Sequence, residues 1–246
     1  MKLNFNIDYR TNWGESVYIV GHTPELGDGD ESRAVKLELD GVGLWSLSID
    51  VADETRDFDY RYIVRRDDGS TRYEWGRPHR FVVGCDVKSY EIYDRWQDQP
   101  YDKPYYSSVF VDCINRRDDR DESQSLYPGS VTLRVDAPMV GSDEVLALCG
   151  DDEAIGEWNP ENALVMNDSN FPEWSITLPN KEIHLPFRYK FVILDKTTRK
   201  LLAWENGDNR VMNIIPEHKS SALVVGGMRF INSRPAWRGA GVAIPV

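Results

Sequence analysis

Cysteine is scarce in this chain: 246 residues carry three, Cys85, Cys113 and Cys149. They lie far apart and form no CxxC pair, which argues against a zinc site or a dithiol redox motif and leaves free thiols. The histidines His22, His79, His184 and His218 are scattered, with no i, i+4 pair to hold a metal. Long apolar runs are missing too. No window approaches the roughly 18 unbroken apolar residues of a membrane helix. The start, MKLNFNIDYRTNWGE, lacks the apolar stretch of about 7–15 residues that a secretion signal needs, so a cytoplasmic location is expected. Positive charge is in deficit, with 29 Lys and Arg against 41 Asp and Glu and a net charge of −12. Such a surface repels phosphate backbones, which makes nucleic acid and anionic membrane poor partners and leaves neutral ligands unpenalised. No GxSxG, HExxH or P-loop occurs, so nothing points to a catalytic residue, a metal or a cofactor.

A sustained helical period is likewise absent. Short alternating runs take its place: LNFNID, SVYIVG, LWSLSID and DYRYIV, then VTLRVD, VLALCG, EWSITL, RYKFVIL and SALVVGG. Gly, Pro, Asn and Asp clusters separate them, which is the pattern of antiparallel β-sandwiches. The runs also repeat. Trp45 matches Trp174, a shift of 129 positions (174 − 45), and the same shift relates Gly21 to Gly150, Gly27 to Gly156, Phe58 to Phe187 and Tyr60 to Tyr189. Carried on without a gap, it pairs Trp75 with Trp204; a slip of one then pairs Arg80 with Arg210. The chain therefore reads as all-β, two copies of one antiparallel sandwich in tandem: residues 1–98, a connector 99–127, residues 128–233, and a stretch 234–246 that matches neither copy. Within the connector, SSVFVDCI suits an edge strand, and the charge-dense run from Asn115 to Ser125 a solvated loop. Trp45 and Trp174 alternate with apolar partners and belong in the cores.

One stretch resists this simple reading. In LLAWENGDNRVMN, Trp204 sits beside Glu205, Asn206, Gly207, Asp208, Asn209 and Arg210, which is surface turn chemistry. A glucose ring offers an apolar face of C–H bonds and a rim of hydroxyls. The face stacks on a flat aromatic, and the rim needs planar groups that donate and accept. A tryptophan at the edge of a polar turn meets both needs.

The residues that carry this pattern resemble the starch-binding domain of carbohydrate-binding module family 20. In the second copy they are Gly150, Ile155-Gly156-Glu157-Trp158, Trp174, Tyr189-Lys190 and the run from Trp204 to Arg210. In the first, the opening TNWGESVYIVGHTPELGD is similar to the family's first strands. The resemblance implies two immunoglobulin-like sandwiches that bind α-1,4-glucan or maltooligosaccharide. Its first sugar site would use Trp158 and Trp204 as platforms, with Lys190, Glu205 and Asn209 on the hydroxyls. The first copy departs from that pattern. Gly29 stands in Trp158's place and Arg61 in that of Lys190, and the loop is shortened to EWGRPHR, which sets His79 against Asn209 and leaves Trp75 as the lone platform. A second family site lies in the first turn, where Trp13 is either an exposed platform or a hydrophobic plug; Ser142 is its counterpart. The tandem with its connector and the closing WRGAGVAIPV is similar to the N-terminal region of 4-α-glucanotransferases of the amylomaltase type. That resemblance implies a partner, the catalytic barrel of the same protein. The barrel would start near Trp237 and keep its catalytic carboxylates beyond Val246, so residues 1–246 alone would be non-catalytic. An interdomain or dimerisation module with little glucan affinity is the alternative.

Overall fold

The computed structural model describes residues 1–40, 43–117, 124–214, 216 and 218–232. The first copy contributes β1 (Lys2–Asp8), β2 (Glu15–Gly21), β3 (Val35–Lys36), β4 (Glu38–Leu39), β5 (Leu44–Asp50), β6 (Phe58–Arg66), β7 (Thr71–Tyr73), β8 (His79–Phe81) and β9 (Ser89–Arg95). The second contributes β10 (Ser130–Asp136), β11 (Glu144–Gly150), β12 (Leu164–Val165), β13 (Glu173–Pro179), β14 (Phe187–Asp195), β15 (Leu201–Trp204), β16 (Arg210–Met212) and β17 (Ser221–Arg229).

Alternation explains the layers. In β1, Leu3, Phe5 and Ile7 are wholly buried, and in β6 Phe58, Tyr60, Tyr62 and Val64 point the same way into the first core. The second core gathers Val131, Leu133 and Val135 of β10 with Phe187, Tyr189 and Phe191 of β14. Trp45 and Trp174 are both buried, as their alternating neighbours imply.

Each copy has its own five-stranded sheet: β3-β2-β6-β7 with β8 on β6, and β12-β11-β14-β15 with β16 on β14. The facing layers are not separate. They join in one seven-stranded sheet, β13-β10-β17-β9-β1-β5-β4. The two final strands, β9 and β17, pair in parallel, from Ser89 opposite Ser221 to Tyr93 opposite Val225. Successive side chains on a strand point to opposite faces. Ala222 and Val224 enter the first core while Leu223 enters the second. The two small sheets therefore cover opposite faces of the shared sheet, as a two-fold axis along the seam strands requires. Where β17 passes β9 it carries Gly226 and Gly227. A Cβ on Gly226 would lie 2.5 Å from the Asp94 carboxylate, and Gly227 (φ +66) would put one 2.6 Å from the Arg95 carbonyl oxygen.

Two expectations for the connector fail. SSVFVDCI forms no strand; Lys103–Tyr106 and Val109–Ile114 are short helical turns. The turn sets Phe110 edge-on to Tyr105, with ring centroids 4.9 Å apart, and packs its neighbour Val111 against the second core. In a strand those two neighbours would face opposite ways. Nor is the charged run simply solvated where it begins. Asn115 and Arg117 are buried. The Arg117 guanidinium lies 4.4 Å from the centroid of Trp174 and donates to Asp168 (2.9 Å) and to the carbonyl oxygens of Gly141 (2.7 Å) and Glu144 (2.8 Å). Such a stacked, multiply bonded arginine is a packing element. Residues 118–123 of the run, and the stretch 234–246, where the resemblance starts the barrel, lie outside the described residues. Among the described residues no helix is long and apolar enough to cross a membrane.

Candidate carbohydrate site

Trp158 is placed by a strained turn. After the 3-10 turn Glu153–Ile155, Gly156 (φ +92), Glu157 (φ +47) and Trp158 (φ +60) are all left-handed. The Trp158 N–H donates to Gly150 O at 2.6 Å, which locks the turn. The first copy repeats it with Gly27, Asp28 and Gly29, and Gly29 N–H donates to Gly21 O at 2.8 Å. Left-handed backbone costs a bulky L-residue about 1–2 kcal/mol and glycine almost nothing. Tryptophan thus holds a position that geometry assigns to glycine, and strain of this kind gathers at functional sites.

Trp204 ends β15, paired with Val192 of β14. Its ring centroid lies 6.2 Å from that of Trp158 and the planes are inclined by 45°. Both are half-buried. Two inclined aromatic faces at this spacing suit successive rings of a curved α-1,4 chain better than a flat β-1,4 chain.

The polar candidates divide by role. Asn209 is exposed on the same loop. Lys190 donates through Nζ to the carbonyl oxygens of Glu205 (3.1 Å) and Gly207 (2.5 Å), so it holds the loop and keeps one N–H for a ligand. Glu205 faces inward. It is buried, accepts from Arg210 Nε (3.0 Å) and Nη2 (2.6 Å), and receives Phe191 N–H at 3.4 Å. Its carboxylate shapes the loop, which replaces the expected contact with a sugar hydroxyl.

The first copy follows a different register from the one the sequence suggests. Tyr73 pairs with Ile63 just as Trp204 pairs with Val192, and Ile63 and Val192 correspond at the 129 shift. Trp204's counterpart is therefore Tyr73 and not Trp75. Two extra residues separate the copies. The second hairpin turn is one longer, closed by Asp195 N–H to Lys200 O where the first closes Arg66 N–H to Ser70 O. A bulge at Leu202 adds the other, since Leu194 pairs with Leu201 but Ile193 with Ala203. By the same register His79 opposite Tyr60 matches Arg210 opposite Tyr189, so His79 replaces the arginine and not Asn209. Its chemistry agrees: His79 Nε2 lies 3.2 Å from Glu74, as Arg210 binds Glu205. Burial opposes the charge on His79, but Glu74 and Asp94 outweigh it and raise its pKa to about 9. Arg61 bonds Gly76 O at 3.0 Å and so takes over the Lys190 bond to Gly207 O. Tyr73, 48% exposed, is the aromatic that sequence reasoning missed; its hydroxyl donates to Glu31 at 2.9 Å. Trp75 is elsewhere, edge-to-face with Tyr106 of the connector at 5.2 Å.

Trp13 is fully exposed, at 104% of the reference area, so it plugs nothing. The turn beneath it is held by hydrogen bonds. Gly14 is left-handed (φ +79), and buried Glu15 accepts from Asn12 N–H (2.9 Å), Asn12 Nδ2 (3.1 Å) and Arg66 Nε (2.9 Å). The Asn12 backbone bond and the Arg66 bond hold the Glu15 carboxyl down at about 2.

Paired sandwiches that present inclined or fully exposed tryptophans on hydrogen-bonded turns have the make-up of a binding module. Residues 1–92 and 129–224 match the family described as Starch binding domain, and the chain belongs to that family. Among proteins it is similar to, 4-alpha-glucanotransferase DPE2 of Oryza sativa subsp. japonica is 26% identical over 262 residues, covering 99% of this chain and 27% of that protein. Glucoamylase-1 of Schizophyllum commune is 30% identical over 95 residues, which cover 39% of this chain and 16% of that protein. The solved family 20 module of the maltotetraose-forming amylase from Pseudomonas saccharophila is 19% identical with a TM-score of 0.33, over 39% of this chain and 98% of that one. The chain thus spans about a quarter of the length of the first of these relatives.

Proposed function

We propose that this chain binds α-1,4-glucan through two unlike sites and holds it for a catalytic 4-α-glucanotransferase barrel in the same protein. The observation that carries the reading is the Trp158–Trp204 pair, inclined by 45° at 6.2 Å. A stacked chain covers both rings, and Lys190 and Asn209 meet its hydroxyls. In the first copy the sugar lies against Trp13, whose turn is braced by Glu15. The copies thereby divide the work: paired platforms on the second, a single exposed ring on the first. The barrel as partner is supported by the family and by the likeness to a 4-alpha-glucanotransferase over nearly the whole chain. The chain itself contributes binding and no chemistry.

Retention in gels containing amylopectin or soluble cellulose derivatives tests this reading. Retardation by amylopectin alone is the expected result. Equal retention by both polymers contradicts α-selectivity, and retention by neither favours an interdomain or dimerisation role.

A further inference from the structure

Trp75, released from the platform role, lines a cavity of about 700 Å³ beside the seam between the copies. That volume lies within the range of about 300–1,000 Å³ usual for small-molecule sites. The walls come from three parts of the chain: Trp75 and Arg77 from the first copy, Tyr106 from the connector, and Asp136, Glu173 and Arg229 from the second. Trp75 and Tyr106 are half-buried and meet edge-to-face, with their planes at 89°. Asp136 and Glu173 stand directly opposite one another across β10 and β13.

Glu173 accepts from Asn170 Nδ2 at 3.0 Å, whereas Asp136 and Arg229 are poorly satisfied by the described residues. The nearest cation to the Asp136 carboxylate is Arg77, at 4.0 Å. The Arg229 Nε is buried with no hydrogen-bond partner among the described residues. Burial and the facing Glu173 raise Asp136 to about 6. Under-bonded polar groups around a roomy cavity call for a polar occupant. Carboxylates and guanidinium groups both line the walls, so charge of neither sign has them to itself. A neutral polyol ring suits both, with its C–H face on Trp75 or Tyr106 and its hydroxyls on Asp136, Glu173 and the arginines.

We infer that the seam cavity is a further saccharide site, taking a short neutral maltooligosaccharide or the end of a longer chain. This rests on the reading that α-glucan is the ligand. It also gives the connector a function, since Tyr106 supplies a wall that neither sandwich has.

The test uses the full chain carrying Trp13→Ala, Trp158→Ala and Trp204→Ala together, which removes the other platforms and leaves the cavity. Maltotriose is titrated by calorimetry, and hydrogen exchange locates the contact. The triple variant should keep a weak site, and maltotriose should slow exchange in segments 75–80 and 170–173. Adding Asp136→Asn with Glu173→Gln, or Trp75→Phe, should weaken that site by about tenfold or more, with melting temperatures confirming the fold. A triple variant that binds no maltotriose, while wild type still binds maltoheptaose, overturns the cavity site and leaves the platforms standing. Silence from both proteins overturns both readings. Indifference of the residual site to both sets of cavity substitutions, or tighter binding of glucose 1-phosphate than of maltotriose, also overturns the proposal.

Discussion

Tyr73 and Trp204 occupy one position in two copies of the same hairpin, Tyr73 opposite Ile63 and Trp204 opposite Val192. The first copy therefore keeps half of a platform pair, and Gly29 marks the missing half. Transplanting the second copy's residues should restore it. The variant His22→Asp, Gly29→Trp and Tyr73→Trp is expected to raise the maltoheptaose stoichiometry of the chain by one. His22 is exchanged because a Cβ on Gly29 would lie 3.1 Å from its ring. The new left-handed tryptophan should cost about 1–2 kcal/mol in a urea melt. Unchanged stoichiometry in a folded variant counts against the match of Tyr73 to Trp204.

The fold and the ligand make opposite demands on Trp158. Trp158→Gly relieves a φ of +60 but removes a platform. Stability should change by less than about 1 kcal/mol, because relief of strain and the greater freedom of the unfolded glycine offset one another. Glucan affinity at the second copy should fall about tenfold or more. A large loss of stability would show that the ring is a packing element.

Glu205 should behave in the reverse manner. It is buried and bidentate to Arg210, and removing one partner of such a pair costs about 3–5 kcal/mol. Glu205→Ala is expected to lower the melting temperature and the affinity together. Asn209→Ala, on the exposed part of the same loop, should lower affinity alone. Thermal melts beside titrations separate the two.

His79 gives the first copy a pH dependence that Arg210 denies the second. Its folded pKa is raised from 6.5 to about 9 by Glu74 and Asp94 acting against burial. A raised pKa stabilises the fold in full below about 6.5, and that share is lost as pH rises through about 9. Urea melts of wild type and His79→Gln should differ most at pH 6 and converge above pH 9. A gap that widens at high pH contradicts the assignment. Glu15 runs the other way, since its depressed pKa of about 2 supplies stability above about 4.5 that fades as the pH falls towards 2.

The alternating runs and the 129 shift made the sandwiches and the repeat legible, because period-two burial and matched turns leave direct marks on sequence. Trp204 was legible from the 206–209 turn, which announces a surface loop that a large aromatic would otherwise avoid, and Trp158 from the resemblance to the starch-binding family. Three features were not. One residue added in a turn and one in a bulge moved Trp204's partner from Trp75 to Tyr73, and neither leaves a compositional trace. Arg117 looked solvated because its neighbours are charged, yet its own guanidinium lies on Trp174. The parallel seam of β9 with β17 joins strands with no contact in sequence, and only Gly226-Gly227 hints at a close crossing.

The central claim is that the inclined tryptophan pair carries the main glucan site, and a calorimetric titration of the full chain with maltoheptaose tests it most directly. A tryptophan that the ligand covers is worth about 2 kcal/mol or more, so Trp204→Ala should weaken the strongest binding event roughly thirtyfold. Trp13→Ala should remove a weaker event alone, and Trp75→Ala should leave the strongest one untouched. If folded Trp204→Ala binds maltoheptaose as tightly as wild type, the glucan does not lie on these rings and the account is wrong.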